Sequence, residues 1–305
     1  MDQVTNTPET HQDSKCNGIE PYLQDGRKND RITHYYILDN NVLSDLAKLA
    51  REEQSSFKEL MKCYKGTVFI IPEMVMEEAI RNLPGQQWVD EKYLDFYQVM
   101  SELHIPIYLE SVEHNYQIFA EGYGSKEEAF LQYREIAINS ISNIAIRGEL
   151  REAKSCKDIE KAYSQSLKDA GERFIFLYAH AMLQDKVNKI SILSNEIKGV
   201  YNVWKANMRK GELLELVKVT SHEEYCEKLR PISYNCILAD SLKKNPTLTS
   251  EQKKSLLQIT RDSKIIGRNV YYSQKSCNLV DTRADMNNEE FINFIEKHDD
   301  YKLAF

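Results

Sequence analysis

Residues 33–50 read THYYILDNNVLSDLAKLA, and the first fold element is legible in them. Tyr35, Tyr36, Ile37 and Leu38 form an unbroken aromatic and aliphatic run. A run without alternation suits a strand buried on both faces, as in a parallel sheet. Asp39, Asn40 and Asn41 then interrupt it with side chains that favour turns and helix starts. Val42, Leu43, Leu46 and Leu49 follow at helical spacing. A strand, a polar switch and a helix in so short a span open a parallel α/β unit.

The same alternation continues outward. Thr67–Ile71 (TVFII) predicts a second strand, Pro72 punctuates it, and Glu73–Leu83 has helical character up to Pro84 and Gly85. His104–Leu109 (HIPIYL) predicts a third strand and EHNYQIFAEGY (113–123) a helix. Residues 125–168 read as charged, amphipathic helix with a break at Gly148, and Gly171–Gln184 is apolar nearly all round, as a buried helix is. Lys189–Leu193 (KISIL) predicts a fourth strand and Leu216–Val219 (LVKV) a fifth, leading into the helix HEEYCEKLR (222–230). From Pro231 the alternation stops. The expected organisation is therefore a mobile polar arm over 1–30, an α/β domain over 31–230 with a helical insertion at about 125–168, and a mostly helical extension over 231–305.

Composition narrows the function. At 305 residues and 42% hydrophobic content the chain can bury a large core. No apolar run approaches the ~20 residues of a membrane helix, so no membrane partner is expected. The first residues lack the basic start and apolar stretch of a signal peptide. The six Cys (16, 63, 156, 226, 236, 277) contain no CxxC pair, which argues against a zinc site and a disulfide framework and for a reducing, cytoplasmic setting. The formal charge of −7 weakly disfavours non-specific nucleic-acid binding, yet the basic residues are unevenly placed. Lys186, Lys189, Lys198, Lys205, Arg209 and Lys210 face Glu196 alone across 186–210, and a second basic stretch spans 241–276 ahead of an acidic tail over 281–305. Lys198, Lys205, Arg209 and Lys210 are the candidates for phosphate contact, against the competing reading of a solvated face.

In an open parallel sheet, ligands sit beyond the carboxyl ends of the strands. Acids cluster at those ends here. Asp39 closes the first predicted strand, Glu78 (with Glu77 beside it) follows the second, Glu172 opens the buried helix, and Glu196 follows the fourth strand through Ser194 and Asn195. Carboxylates from four segments converging on one edge would repel, and oxygen-only donors suit a hard divalent cation, Mg²⁺ or Mn²⁺. Such a cage activates water for phosphoryl transfer.

These stretches resemble the PIN-domain ribonuclease family. YILDNNVLSDL (36–46) is similar to its opening strand and Asp-x-Asn motif, and TVFIIPEMVMEEAIRNL (67–83) to its second segment, in a register that selects Glu78 over Glu77. GERFIFLYAHAML (171–183) resembles the third acidic motif, KISILSNE (189–196) the Thr-x-Asp turn with Ser194 and Glu196 in those places, and LVKVTSHEEYCEKL (216–229) the closing strand and helix. The resemblance covers about 31–230 and implies a three-layer α/β fold with a central parallel sheet. It implies a divalent-metal-dependent endoribonuclease in which Asp39, Glu78, Glu172 and Glu196 hold Mg²⁺ or Mn²⁺ and catalyse, while Asn41 and Ser194 support them. RNA is the implied substrate and DNA a less favoured one, with a homodimer or a regulatory protein partner compatible with it. Glu196 departs from the family Asp, which leaves a catalytically silent RNA- or protein-binding module as the alternative. A haloacid-dehalogenase phosphatase also opens with strand-Asp, but that family wants Asp-x-Asp and position 41 is Asn. Plainer readings compete: Asp39 as a helix N-cap, Glu172 as a dipole partner, and His180 as a satisfied core side chain.

Overall fold

The computed structural model describes residues 34–81, 89–165, 169–185, 188–244, 248–258, 261, 269–274, 279, 282–297, 300–303 and 305. The arm expected over 1–30 lies outside the described residues. The chain begins with β1 (His34–Leu38), α1 (Asn40–Glu52) and α2 (Gln54–Met61), then β2 (Val68–Pro72), α3 (Glu73–Arg81), α4 (Val89–Glu102) and β3 (Ile107–Glu110). A helical stretch follows: α5 (Val112–Ala120), α6 (Lys126–Ser140), α7 (Ile144–Glu152), α8 (Cys156–Ser164) and α9 (Ala170–Met182). After β4 (Lys189–Leu193) come a wide π turn (Ile197–Tyr201), α10 (Asn202–Asn207), α11 (Gly211–Leu216), α12 (His222–Lys228) and β5 (Leu229–Ile232).

The five strands form one parallel sheet in the order β3-β2-β1-β4-β5. Its centre is apolar because β1 and β2 are buried along almost their whole length. Tyr35 pairs with Val68 on one side and Ile190 on the other, and Ile37 with Ile70 and Ile192. The strand order runs outward in one direction from β1 to β3 and in the other from β4 to β5. The β1–β4 boundary is thus a topological switch point, where an open α/β sheet leaves a crevice at the strands' carboxyl ends. Helix α9 packs on β1, β2 and β4, and α12 on β4 and β5. Elsewhere Tyr36 packs edge-on to Tyr64, whose hydroxyl donates to the Ile237 carbonyl. The arrangement is consistent with a three-layer α/β fold.

Several expectations shift. The third strand starts at Ile107 rather than His104; His104 adopts a positive φ of 56° that ends α4. Gly148 does not break a helix but lies within α7, on its exposed face, where a glycine costs about 1 kcal/mol relative to alanine. Buried Ile146 and Leu150 hold that helix in place. Leu216–Val219 is not the fifth strand. Leu216 ends α11, and Lys218 sits at φ 57°, a left-handed conformation no strand contains. The fifth strand is Leu229–Ile232, so the boundary expected at residue 231 cuts through β5. Pro231 is tolerated there because β5 is the sheet's edge.

Beyond β5, the extension is not only helical. It holds α13 (Tyr234–Lys244), α14 (Ser250–Leu257), β6 (Asn269–Gln274), β7 (Thr282–Asp285), α15 (Asn288–Lys297) and β8 (Tyr301–Leu303), with the strands in an antiparallel sheet ordered β7-β6-β8. Helix α13 packs on α2, β5, α15 and β8. Among the described residues no helix is long and apolar enough to cross a membrane.

Helix α9 is buried from Phe174 to Met182, as its composition predicted. Inside it His180 bonds on both nitrogens, Nδ1 with Ser140 Oγ at 2.7 Å and Nε2 with Tyr225 Oη at 2.8 Å. It is a core side chain. Burial is the main force lowering its pKa from 6.5 to about 3, with Lys210 adding to it. The unfolded chain therefore binds a proton at His180 that the folded one refuses, and stability falls as pH drops from about 6.5 towards 3, by up to about 1.4 kcal/mol per pH unit for one proton. His180→Phe should lose that slope: urea unfolding at pH 7 and pH 5 should show the wild type weakening more than the variant over the interval.

Candidate active site

The sheet's switch point builds the site from two turns. Asp39 ends β1 in an extended conformation (φ −88°, ψ 155°) and caps α1, its Oδ1 accepting from the Asn40 amide at 2.8 Å. Capping does not exhaust it. Its Oδ2 accepts from Asn41 Nδ2 at 2.8 Å and from Ser194 Oγ at 2.7 Å, the latter reaching across from the end of β4. The Asp39 amide donates to the Leu193 carbonyl at 2.9 Å and so continues the β1–β4 ladder into the turns. Burial pushes the Asp39 carboxyl up to about 6 against the opposing bonds from Ser194 and Asn40, and Glu196 and Glu78 push it further in the same direction.

The second turn is held as firmly. Ser194 Oγ accepts from the Glu196 amide at 3.1 Å, and Asn41 Oδ1 accepts from the Asn195 amide at 3.0 Å. Asn195, which sequence reasoning did not single out, ties three elements together. Its Nδ2 donates to Asp45 Oδ2 at 2.9 Å, and its Oδ1 accepts from the Tyr234 amide at 2.9 Å where α13 begins. Burial raises Asp45 to about 7, with Asn195, Lys48 and Lys92 opposing. Asp45 was also missed; its place on an otherwise apolar helix face was the available signal.

Glu172 stands in the first turn of α9, half-buried. Its pKa rises from 4.5 to about 8, first through burial, then through a hydrogen bond with the Glu196 carboxyl, then through Asp39. Glu172 therefore keeps its proton near neutrality. Glu78 comes up from α3: its Oε2 lies 3.2 Å from where a Cβ on Gly171 would stand, beside the start of α9. Glu77 faces a different group, the acids Glu73 and Glu160. The structure thus brings Asp39, Glu78, Glu172 and Glu196 to one edge and sends Glu77 elsewhere.

Gly199 is a further residue that sequence reasoning missed. It lies in the π turn Ile197–Tyr201, and a methyl group there would overlap the Glu172 carboxylate. The widened turn brings its backbone so close to Glu172 that any side chain there would displace the carboxylate. π turns recur where a helix is distorted for function.

The donor set is oxygen-only, and every influence resolved on Glu172 resists its ionisation. A divalent cation would release that proton and relieve the repulsion, so the residues fit a hard cation in their chemistry. They do not form a closed cage. Among the described residues no group of three or more His, Cys, Asp or Glu is arranged to hold an ion. Both Asp39 oxygens are engaged by donors, and Glu172 bonds Glu196.

The basic candidates divide. Lys198 and Arg209 are exposed and Lys205 half-buried. The Lys210 Nζ is engaged within the chain, donating to the Asn139 carbonyl at 2.7 Å and the Ile141 carbonyl at 3.4 Å. It thereby satisfies carbonyls at the end of α6, where helices leave acceptors without partners. Burial lowers its pKa to about 8. Comparison with protein-family models, with curated proteins and with solved structures finds no match to this chain.

Glu172 carries a stability signature. Between about pH 4.5 and 8 the unfolded chain releases its proton while the folded chain retains it, so stability falls as pH rises through that window. Glu172→Gln should flatten this fall. Its thermal midpoint should exceed the wild type's at pH 8 and converge with it at pH 4.5; equal pH profiles would mean that the carboxyl is not held protonated.

Proposed function

We propose that the chain is a PIN-like, divalent-metal-dependent endoribonuclease. The observation carrying this reading is the convergence of four acids from four segments at the β1–β4 switch point. Asp39, Glu78, Glu172 and Glu196 would hold Mg²⁺ or Mn²⁺. When bound, such an ion would activate water and offset the charge that develops on the phosphate.

The chain's own residues have separate tasks. Asn41 and Ser194 hold the Asp39 carboxylate in one orientation, since both donate to the same oxygen. Geometry of this kind must be held to a fraction of an ångström for catalysis. Burial keeps a proton on Glu172 at neutral pH, and loss of that proton frees the carboxylate to hold the cation. Gly199 lies against the Glu172 carboxylate, so a side chain there would displace it. Lys198, in the π turn that follows Glu196, and Arg209 beyond it are exposed cations that would contact the phosphates. RNA is the preferred substrate.

A second reading, a silent module that binds RNA or a protein, is favoured by the full engagement of Asp39 and the open arrangement of the acids. Cleavage of mixed RNA and DNA oligonucleotides with Mn²⁺ separates the two. The wild type should cleave RNA and Asp39→Asn should lose at least a hundredfold in rate while its circular dichroism stays unchanged. Metal uptake by calorimetry without turnover would favour the silent module instead. Glu196 is one methylene longer than Asp, and Mg²⁺ tolerates distorted geometry poorly. Activity should therefore be higher with Mn²⁺ than with Mg²⁺, and Glu196→Asp should narrow the difference; wild-type rates in Glu196→Ala would remove Glu196 from the site.

A further inference from the structure

A cavity of about 240 Å³ lies away from the acid edge, between the parallel sheet and the C-terminal elements. One wall comes from β1, β4, β5 and α13, the other from α15 and β8. Its floor is set by register. Tyr36 and Ser191 are partners across β1 and β4, and His34 stacks on Tyr36 with ring centroids 4.4 Å apart. His34 Nε2 lies 3.0 Å from Ser191 Oγ, so a hydroxyl and an imidazole share one hydrogen bond in the lining. Burial and the nearby Lys189 and Lys244 lower the His34 pKa to about 4, leaving the ring neutral at physiological pH.

The charged lining is one-sided in a chain of formal charge −7. Arg230, Lys243 and Lys302 contribute cations, and Asp240 is the acid beside them. Asp240 also pairs with Lys244 at 3.8 Å. Arg230 gives one nitrogen, Nη2, to the Leu303 carbonyl at 2.6 Å, which fixes the guanidinium between β5 and β8 and keeps its other donors in the fork. Lys243 is exposed at the end of α13. The rest of the wall is apolar or aromatic, with Ile232, Phe294, Tyr301 and Leu303.

We propose that this cavity binds a small phosphate monoester with a flat organic body. The surplus of positive charge matches a dianion, and an arginine fork with a lysine is a common way to hold phosphate. Ser191 and His34 add neutral hydrogen-bonding groups to the head. The half-buried rings of Phe294 and Tyr301 give the body a surface to pack on, which a bare phosphate would leave unused. Because the walls belong to different parts of the chain, the ligand braces the C-terminal elements against the sheet, and binding raises stability by mass action.

The test uses full-length protein in EDTA, so that the acid edge holds no metal, with uridine monophosphate, inorganic phosphate and uridine as probes in calorimetry and thermal unfolding. Uridine monophosphate should bind and raise the unfolding temperature, inorganic phosphate should bind more weakly, and uridine should not bind measurably. Lys243→Ala, at an exposed position, should weaken uridine monophosphate about tenfold, and Ala239→Leu, which fills the cavity from α13, should abolish binding. Asp39→Asn should leave the affinity unchanged. Absence of binding at millimolar nucleotide overturns the proposal, as does affinity retained in Lys243→Ala. Should Ala239→Leu fail to fold, Lys243→Ala decides alone. Loss of binding in Asp39→Asn would place the nucleotide at the acid edge and equally overturn it. Because no metal-dependent activity is read, failure here is separable from failure of the nuclease reading.

Discussion

The parallel pairing of β1 with β4 is the constraint on which the acid edge depends. His34 through Leu38 lie in register with Lys189 through Leu193, and the Asp39 amide extends the ladder by one bond to the Leu193 carbonyl. The chain therefore leaves the sheet twice at adjacent points, once at Asp39–Asn41 and once at Ser194–Glu196. Those turns lock through Ser194 to Asp39 and Asn41 to Asn195, and Asn195 carries the lock on to α1 and α13. A one-residue slip would turn the side chains of the slipped strand to the opposite face and part every one of these bonds.

Gathering acids at such a place opposes folding near neutral pH. Asp39, Asp45 and Glu172 all have carboxyls raised by burial, to about 6, 7 and 8. Each is harder to ionise in the folded chain than in the unfolded one, and the apolar core of the sheet and α9 offsets that cost. The contrast with other buried polar groups is informative. His180 has a hydrogen-bond partner on each nitrogen, and Lys210 has two carbonyl acceptors. Their environments satisfy them internally. At the acid edge, by contrast, the groups acting on Glu172 are themselves acids, an arrangement more often found at functional sites than in structural ion pairs.

The limits of sequence reading fall at identifiable residues. TVFII and KISIL were legible as strands because continuous β-branched runs have few other homes in a fold this size. LVKV has a similar composition, yet Leu213, Leu214 and Val217 are buried as part of a helical segment that ends at Lys218. LRPI, with an arginine and a proline, looks like the tail of a helix; only its edge position beside β4 makes it a strand. Lys210 looked like its basic neighbours because the carbonyls it caps lie about seventy residues earlier. Local pattern cannot report a partner that distant.

The sequence by itself determined the first four strands of the parallel sheet, the buried helix α9 and the acids that follow them. Apolar runs must be buried, and Asp, Asn and Ser favour the turns that end strands and begin helices. Asp39 could be placed at the end of its strand for that reason, and Glu172 and Glu196 by their position at a helix start and after a strand, whereas Glu78 lies well inside α3. Tertiary structure alone decided that Glu172 and Glu196 lie within hydrogen-bond reach of one another, that burial holds the Glu172 carboxyl protonated, and that Gly199 lies against it. It alone closed a cationic cavity between β1 and β8, segments at opposite ends of the described chain. The physical reason is common to these outcomes. Charge repulsion, desolvation and close approach depend on distances through space, and those distances exist only once the strand order is set.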